Sequence, residues 1–142
     1  MAYALTSVIA FCQADTLSSS LPLSVDAVEI RRVDDSLIRM IRHNMEVKPV
    51  IEIERINVPI VELAQVLRIT EVKVGDTLLP FTNITGVFVD DLALDKKGKT
   101  VKFTLDYFYP RGGSDYIKCE VPVGNNNVGE VHCRFGKRGN DD

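Results

Sequence analysis

Residues 117–135 read IKCEVPVGNNNVGEVHCRF, and this stretch decides the fold. Apolar and polar residues alternate on both sides of the central glycine and asparagines, which predicts two strands joined by a turn. Glycine and asparagine tolerate the positive φ angles that tight turns require. The alternation places Cys119 opposite Cys133 on an apolar face and Glu120 opposite His132 on the other face. A slip of one residue would mix the two faces, so the pattern predicts the register as well as the strands.

Two further strands precede this hairpin in the sequence. One runs from about Thr100 to Tyr109 with alternating apolar residues, and an apolar-rich stretch from about Ile84 to Leu94 comes before it. The segments Asp95-Lys96-Lys97-Gly98 and Pro110-Arg111-Gly112-Gly113 carry turn residues where these strands end. The C-terminal third of the chain therefore predicts a meander of four antiparallel strands.

The overall composition is typical of a globular domain. The chain has 142 residues, of which 45% are hydrophobic, and we predict a single domain over residues 1–142 with a frayed polar tail at about 136–142. No run of 18 apolar residues is present, so the sequence predicts no membrane span. The net charge of −3 argues against indiscriminate nucleic-acid binding but leaves room for a local basic surface.

The cysteines bear on the cellular compartment. Three are present, an odd number without the tight spacing of a disulfide framework, and the predicted location is cytoplasmic. If the protein were secreted, the opposed Cys119 and Cys133 could instead form a cross-strand disulfide. The apolar stretch from Tyr3 to Cys12 is predicted to be a strand that the mature chain retains, because no basic residue precedes it as in a signal peptide.

Residues 30–43 carry the strongest helical pattern in the sequence. Apolar residues recur there as on the buried stripe of an amphipathic helix, and the basic residues fall on the opposite side. The apolar stripe consists of Ile30, Val33, Leu37, Met40 and Ile41. The start of the helix is open: Ser24 could cap a helix that begins at Val25, or Asp34 or Asp35 could cap a shorter helix after an extended segment.

The following segments predict a strand, a short helix and a hairpin. Val47 to Arg55 places apolar residues between charged ones, Pro59 suits the first turn of a helix that ends near Leu67, and Ile69 to Leu79 contains a Gly-Asp turn. The predicted fold class is therefore α+β, an antiparallel β-sheet or partly closed barrel covered by one amphipathic helix and a short second helix. The alternative is a β-sandwich in which the second helix is only a turn.

The basic face of the predicted first helix is the main candidate site. It consists of Arg31, Arg32, Arg39, Arg42 and His43. Arginine side chains bind the oxygen pairs of phosphates and carboxylates through planar, bidentate hydrogen bonds. These residues are therefore predicted to bind phosphate groups or an acidic partner surface, and the competing interpretation is an ordinary solvated helix face.

The facing pair His132 and Glu120 is the second candidate, because directly opposed side chains on neighbouring strands lie within reach of each other. Such a pair could transfer protons in a small hydrolase or transferase, but no nucleophile accompanies it. His132 and Cys133 point to opposite faces of their strand, which disfavours a shared metal ion. No catalytic residue, metal or cofactor is therefore predicted.

The predicted function is that of a non-enzymatic binding or assembly protein. Its contacts would be made by the basic helix face and by a sheet edge, with Tyr3 to Cys12 as the expected edge strand. Self-association to a homo-oligomer or binding of another protein is expected. The alternatives are binding of a nucleotide or nucleic acid through the arginines, and a small enzyme that uses His132 and Glu120.

Overall fold

The chain is all-β in the part that the computed structural model describes, which comprises residues 22–82, 86–124 and 126–137. No helix is present among these residues, and the paired strands are antiparallel. The strands are β1 (Val25–Val33), β2 (Ser36–His43), β3 (Ile51–Asn57), β4 (Glu62–Ile69), β5 (Glu71–Val74), β6 (Thr77–Pro80), β7 (Gly86–Leu94), β8 (Thr100–Phe108), β9 (Ser114–Gly124), β10 (Asn127–Val128) and β11 (His132–Phe135).

The first four strands form one sheet in the order β1-β2-β3-β4. Each strand pairs with the next one along the chain, which antiparallel geometry allows through tight connections. β3 is buried along almost its whole length because it is an internal strand. Ile51 and Ile53 on one of its faces belong to the hydrophobic core, while Glu52 and Glu54 alternate with them and lie on the other face.

The second large sheet has the order β7-β8-β9-β10, and β11 also pairs with β9. Its register places Cys133 opposite Cys119 and His132 opposite Glu120, which confirms the predicted pairing of the last hairpin. β5 and β6 form a separate two-stranded hairpin around Gly75, as the sequence predicts. The C-terminal meander is therefore correctly predicted.

One hydrophobic core joins these sheets. Its largest fully buried side chains include Ile38 and Met40 from β2 and Phe103 and Leu105 from β8. Burying a side chain of this kind stabilises the fold by roughly 1.5–3 kcal/mol relative to leaving it in water. The antiparallel strands curl around the core as a half-barrel, and the polar turns lie at its ends.

The predicted amphipathic helix over residues 30–43 is wrong, because this segment forms β1, a tight turn and β2. The turn residue Asp34 has a φ of 49°, a left-handed conformation that aspartate tolerates. The turn shifts the phase of the alternation, so the apolar residues of two strands imitate helical spacing. β2 also carries apolar residues on both faces, with Ile38 and Met40 in the core and Leu37 and Ile41 on the other face.

The predicted short helix from Pro59 to Leu67 is also wrong, because this segment forms a turn and the strand β4. Arg55 pairs with Gln65 and the next residue of β3 pairs with Leu63, so Ala64 is an extra residue in β4. Such a β-bulge moves the following side chains to the opposite face and hides the alternation. The α+β class is therefore replaced by an all-β fold. The alternative β-sandwich is also wrong, because it retained the first helix.

Some of the sequence-based predictions concern residues that the structure does not describe. The predicted strand from Tyr3 to Cys12 lies outside the described residues, as does most of the predicted tail at 136–142. The single domain over residues 1–142 stays a prediction. In the described part of the chain, no helix has the length and apolar character needed to cross a bilayer.

Candidate functional site

Three turns meet at one end of the half-barrel: the β1–β2 turn, the β7–β8 turn and the β9–β10 connection. In the β7–β8 turn, the Asp95 carboxylate accepts hydrogen bonds from the amides of Lys99 at 2.8 Å and Thr100 at 3.2 Å. Gly98 has a φ of 66°, a conformation that residues other than glycine rarely adopt. Its amide donates a hydrogen bond to the Asp95 carbonyl at 3.0 Å. These bonds fix the turn, and its lysine side chains are exposed.

A cleft of about 650 Å³ lies between these turns and is termed the basic cleft. This volume falls within the roughly 300–1,000 Å³ that is typical of small-molecule sites. Both large sheets supply its walls. The lining residues are Arg32, Val33 and Asp34 from the β1–β2 hairpin, Lys97, Gly98 and Lys99 from the β7–β8 turn, and Pro122, Val123, Gly124, Asn127 and Gly129 around the β9–β10 connection.

The charged side chains of the basic cleft are mainly cationic. Arg32, Lys97 and Lys99 line it, and Asp34 is the single carboxylate among the described lining residues. Neither lysine side chain forms an ion pair or a hydrogen bond with another described residue. The hydrogen bond from the Lys99 amide, assisted by that from the next amide, lowers the pKa of Asp95, so this nearby carboxylate is ionised but engaged with the backbone.

A buried arginine lies against the same turns. Arg55 on β3 is 5% exposed, and its Nη2 donates to Oγ of Ser36 at 2.5 Å and to Oδ1 of Asn126 at 2.6 Å. Ser36 directly follows the β1–β2 turn, and Asn126 belongs to the β9–β10 connection. No carboxylate pairs with Arg55 among the described residues, and its Nε has no hydrogen-bond partner there. Among the described residues, this guanidinium is therefore a buried positive charge beside the basic cleft that has two hydrogen-bond acceptors but no carboxylate partner.

A second contact between the sheets fixes the cleft wall at β10. The side chain of Gln65 on β4 donates from Nε2 to the Val128 carbonyl at 2.9 Å and accepts at Oε1 from the Val128 amide at 2.8 Å. One amide side chain thus forms hydrogen bonds with both the N–H and the C=O of the buried Val128. Together with Arg55, it ties the first sheet to the second next to the cleft.

The predicted basic set is not a single surface. Register places Arg31 and Arg42 on one face of the β1–β2 hairpin and Arg32 and Arg39 on the other. Arg39 forms an ion pair with the buried Glu54, and Arg42 pairs with Asp26 at 2.9 Å and donates to the Val89 carbonyl at 3.3 Å. Both arginines are therefore engaged by partners within the fold. Arg32 lines the basic cleft, and Arg31 lies in an adjoining groove.

His43, the fifth residue of the predicted set, is buried in a separate polar cluster. Its Nδ1 lies 3.1 Å from Oγ of Ser24, its Nε2 lies 3.3 Å from Oε1 of Glu52, and Lys48 donates to the same oxygen at 2.7 Å. A hydroxyl, an imidazole and a carboxylate in line resemble the hydrogen-bond relay of serine hydrolases. Ser24 is only 9% exposed, however, so its hydroxyl has little access to a substrate. The cluster satisfies buried polar groups.

The second predicted site, His132 with Glu120, has the predicted register on β11 and β9. Both side chains are exposed, and Glu120 lies 3.6 Å from Nζ of Lys102. A hollow of about 250 Å³ is lined by Glu120, and His132 is not among its described lining residues. The use of the pair as an acid and a base stays a prediction.

The two cysteines of the last hairpin form a disulfide. Cys119 on β9 is bonded to Cys133 on β11, with a Cα–Cα distance of 4.2 Å. Their sulfur atoms are therefore not available as thiolate ligands. Within residues 22–82, 86–124 and 126–137, no group of three or more His, Cys, Asp or Glu side chains is arranged to hold a metal ion.

Lys97 and Lys99 are site residues that the sequence interpretation missed. It treats Asp95 to Gly98 only as a hairpin turn, although lysines on both sides of one glycine form a concentrated basic loop. That signal was available in the sequence. The meeting of this loop with Arg32 depends on how the two sheets dock, and no local pattern encodes that arrangement.

Comparisons with known protein families, with curated proteins and with solved structures gave no significant match to this chain. The functional interpretation therefore rests on the geometry and charge of the basic cleft.

Proposed function

We propose that this protein is a non-enzymatic binding protein whose basic cleft takes a phosphate-bearing anion. The observation that carries the proposal is the convergence of Arg32, Lys97 and Lys99 around one cleft in a chain of net charge −3. The proposal keeps the phosphate-binding function predicted from the arginines but moves it to another place. Arg39 and Arg42, which have partners within the fold, are replaced by the two lysines of the β7–β8 turn.

Two features support an anion rather than a neutral ligand. Lys97 and Lys99 have no carboxylate partner among the described residues, so a bound anion need not displace an internal ion pair. The buried guanidinium of Arg55 raises the positive potential beside the cleft. Because Arg55 is buried, water and ions screen its charge less than they screen an exposed charge. Arginine offers a bidentate donor and lysine a mobile point charge, a combination that suits phosphate oxygens.

Isothermal titration calorimetry with inorganic pyrophosphate tests the proposal. We expect affinity to fall as salt is added, because exposed charges are screened beyond about 10 Å at 0.1 M ionic strength. The variant Lys97→Gln/Lys99→Gln removes two charges and nearly preserves side-chain length. Each exposed charge contact contributes up to about 1 kcal/mol, so the dissociation constant should rise about tenfold.

The matched control is Lys73→Gln/Lys137→Gln, which removes the same charge from exposed lysines outside the cleft. Its affinity for pyrophosphate should equal that of the wild type. Equal losses in the two double variants would mean that net charge alone governs binding, and the proposal would then be wrong. A lack of pyrophosphate binding at low salt would also overturn it.

Self-association through a sheet edge is a second candidate function, favoured by one specific observation. β4 pairs only with β3 among the described strands, and residues in the turn before it and at its start expose large apolar side chains. Ile60, Val61 and Leu63 are 76%, 80% and 52% exposed. An apolar edge of this kind is able to pair with a strand of a second chain. Sedimentation velocity over a concentration series tests this candidate.

A further inference from the structure

A second hollow continues the basic cleft along the β7–β8 turn and is termed the side groove. Its volume is about 360 Å³. Arg32 and Gly98 line both the basic cleft and the side groove, so the two spaces are adjacent. The side groove is lined by Arg31, Arg32, Leu94, Asp95, Lys96 and Gly98.

The basic cleft and the side groove share Arg32 and Gly98 as lining residues, and the two are together termed the basic track. Arg31 donates from Nε to Glu29 at 2.7 Å, but this ion pair is exposed and contributes little, so the guanidinium remains able to contact a ligand. The Asp95 carboxylate in the groove is engaged by backbone amides. The cations of the track are Arg31, Arg32, Lys96, Lys97 and Lys99. Five cationic side chains therefore line the two adjoining spaces.

No aromatic side chain is among the described residues that line the basic track. Proteins that bind single-stranded nucleic acids commonly stack the bases on aromatic rings as well as contacting the backbone. The apolar side chains along the track are aliphatic, with Val33 in the cleft and Leu94 in the groove. The described residues of the track therefore suit repeated anionic groups and offer no stacking platform for a base.

We infer that the ligand is a linear chain of phosphate groups without a base, bound along the basic track. This inference rests on the proposed function of the basic cleft and adds the length and chemical class of the ligand. Lys97 and Lys99 contact one end of the chain in the cleft. Arg31 and Lys96 contact the other end in the side groove, with Arg32 between them.

Calorimetric titrations with orthophosphate, pyrophosphate and tripolyphosphate test the inference. Longer phosphate chains carry more charge and bind more tightly to any basic surface, so chain length alone does not decide the matter. The decisive variant is Arg31→Gln/Lys96→Gln, which changes the side groove only. We expect this variant to bind tripolyphosphate about tenfold more weakly and to bind orthophosphate as the wild type does.

Two further variants complete the design. Lys97→Gln/Lys99→Gln should weaken the binding of all three phosphates, and Lys73→Gln/Lys137→Gln should weaken none of them. An unchanged circular dichroism spectrum and melting temperature confirm that each variant is folded, which exposed substitutions permit.

The outcomes separate this inference from the proposed function. If Arg31→Gln/Lys96→Gln weakens orthophosphate and tripolyphosphate equally, or weakens neither, the extended track is wrong and the cleft proposal stands. If none of the three phosphates binds, both are wrong. If an oligothymidylate or a sulfated oligosaccharide of equal charge binds more tightly than tripolyphosphate, the assignment to a base-free phosphate chain is wrong.

Discussion

Glu52 is a buried carboxylate whose ionisation depends on its neighbours. It is 7% exposed on β3, and its Oε1 accepts a hydrogen bond from Lys48 at 2.7 Å. Burial raises the pKa of Glu52, but the hydrogen bond and charge of Lys48, with the charges of His43 and Arg68, outweigh burial and hold the pKa below its usual 4.5. The folded state therefore favours the ionised carboxylate more strongly than the unfolded chain does.

We predict that Glu52 stabilises the fold above about pH 4.5 and that this contribution is lost as the pH falls further. The sign follows from the lowered pKa, because the unfolded chain takes up the proton before the folded state does. The variant Glu52→Gln should be less stable than the wild type by roughly 1–3 kcal/mol at neutral pH. This deficit should shrink in acid. Urea unfolding at a series of pH values measures both effects.

Glu62 on β4 supplies the matched control, since it is an exposed glutamate and Glu62→Gln makes the same chemical change without burial. This control should follow the wild type at every pH. A deficit of Glu52→Gln that stays constant into acid would contradict the prediction.

At the residue scale, the sequence identifies charged side chains but not their partners. Arg39 and Arg42 look like free surface arginines in the sequence, yet they pair with Glu54 and Asp26. Each of these partners lies on a different strand from its arginine, so the pairing depends on register. Register is predictable only where the turn between two strands has been recognised. The lack of a carboxylate partner for Arg55 among the described residues has no sequence signature for the same reason.

A covalent link reinforces β11, a short strand of the second sheet. It spans His132–Phe135, and the Cys119–Cys133 disulfide ties it to β9. The two cysteines are separated by 14 positions in the sequence. In the chain-entropy account, closing a loop of this length removes freedom from the unfolded chain and stabilises the fold by about 3 kcal/mol.

We predict that reduction of the Cys119–Cys133 bond lowers the free energy of unfolding by about 3 kcal/mol. Urea unfolding with and without a thiol reductant measures the change, and thiol titration confirms that reduction is complete. The variant Cys133→Ala is the control, because the reductant should leave its stability unchanged. An unaltered unfolding midpoint in the fully reduced wild type would contradict the prediction.

The same bond links stability to the cellular compartment. The cytoplasmic location predicted from the cysteine count would keep both thiols reduced, whereas an oxidising compartment would preserve the bond. The two settings therefore imply different stabilities for one sequence.

At the element scale, prediction succeeded where turns carry glycine and failed where they do not. Gly75, Gly98 and the glycines at 112 and 113 all have positive φ angles, and the strands that they separate were predicted. The turn at Asp34 uses aspartate in a left-handed conformation, and β4 contains a bulge at Ala64. Both features interrupt the two-residue alternation without an obvious signal. The β1–β2 hairpin and the turn with β4 were therefore each interpreted as a helix.

For the whole molecule, the exposed apolar side chains at the start of β4 predict association between chains. Removing apolar surface from water contributes roughly 25 cal/mol per Å². We expect the sedimentation coefficient of the wild type to rise with concentration. Val61 lies in the turn that leads into β4, and we expect Val61→Lys to stay monomeric because its charge replaces exposed apolar surface beside that edge.

Leu78 on β6 provides the control, since it is 54% exposed and belongs to the separate two-stranded β5–β6 sheet. Leu78→Lys should associate as the wild type does. Two results would remove β4 as an interface: a wild type that is monomeric at every concentration, or an equal effect of the two lysine variants.

The order of the strands has a consequence for the timing of folding. Within the two large sheets, every described pairing except that of β9 with β11 joins strands that are consecutive in the chain. Such hairpins close short loops at a small entropic cost and form quickly. The hydrogen bonds between the two sheets, in contrast, join residues that are far apart in the chain. Gln65 and Val128 are separated by 63 positions, and Arg55 and Asn126 by 71.

This contrast between local and distant contacts favours a sequence of events in which the hairpins form first and the sheets dock last. The basic cleft takes its walls from both sheets, so it comes into existence only with that final step. An anion bound there, as we propose, would stabilise the docked sheets, because mass action favours the state that binds it over any state in which the sheets have separated.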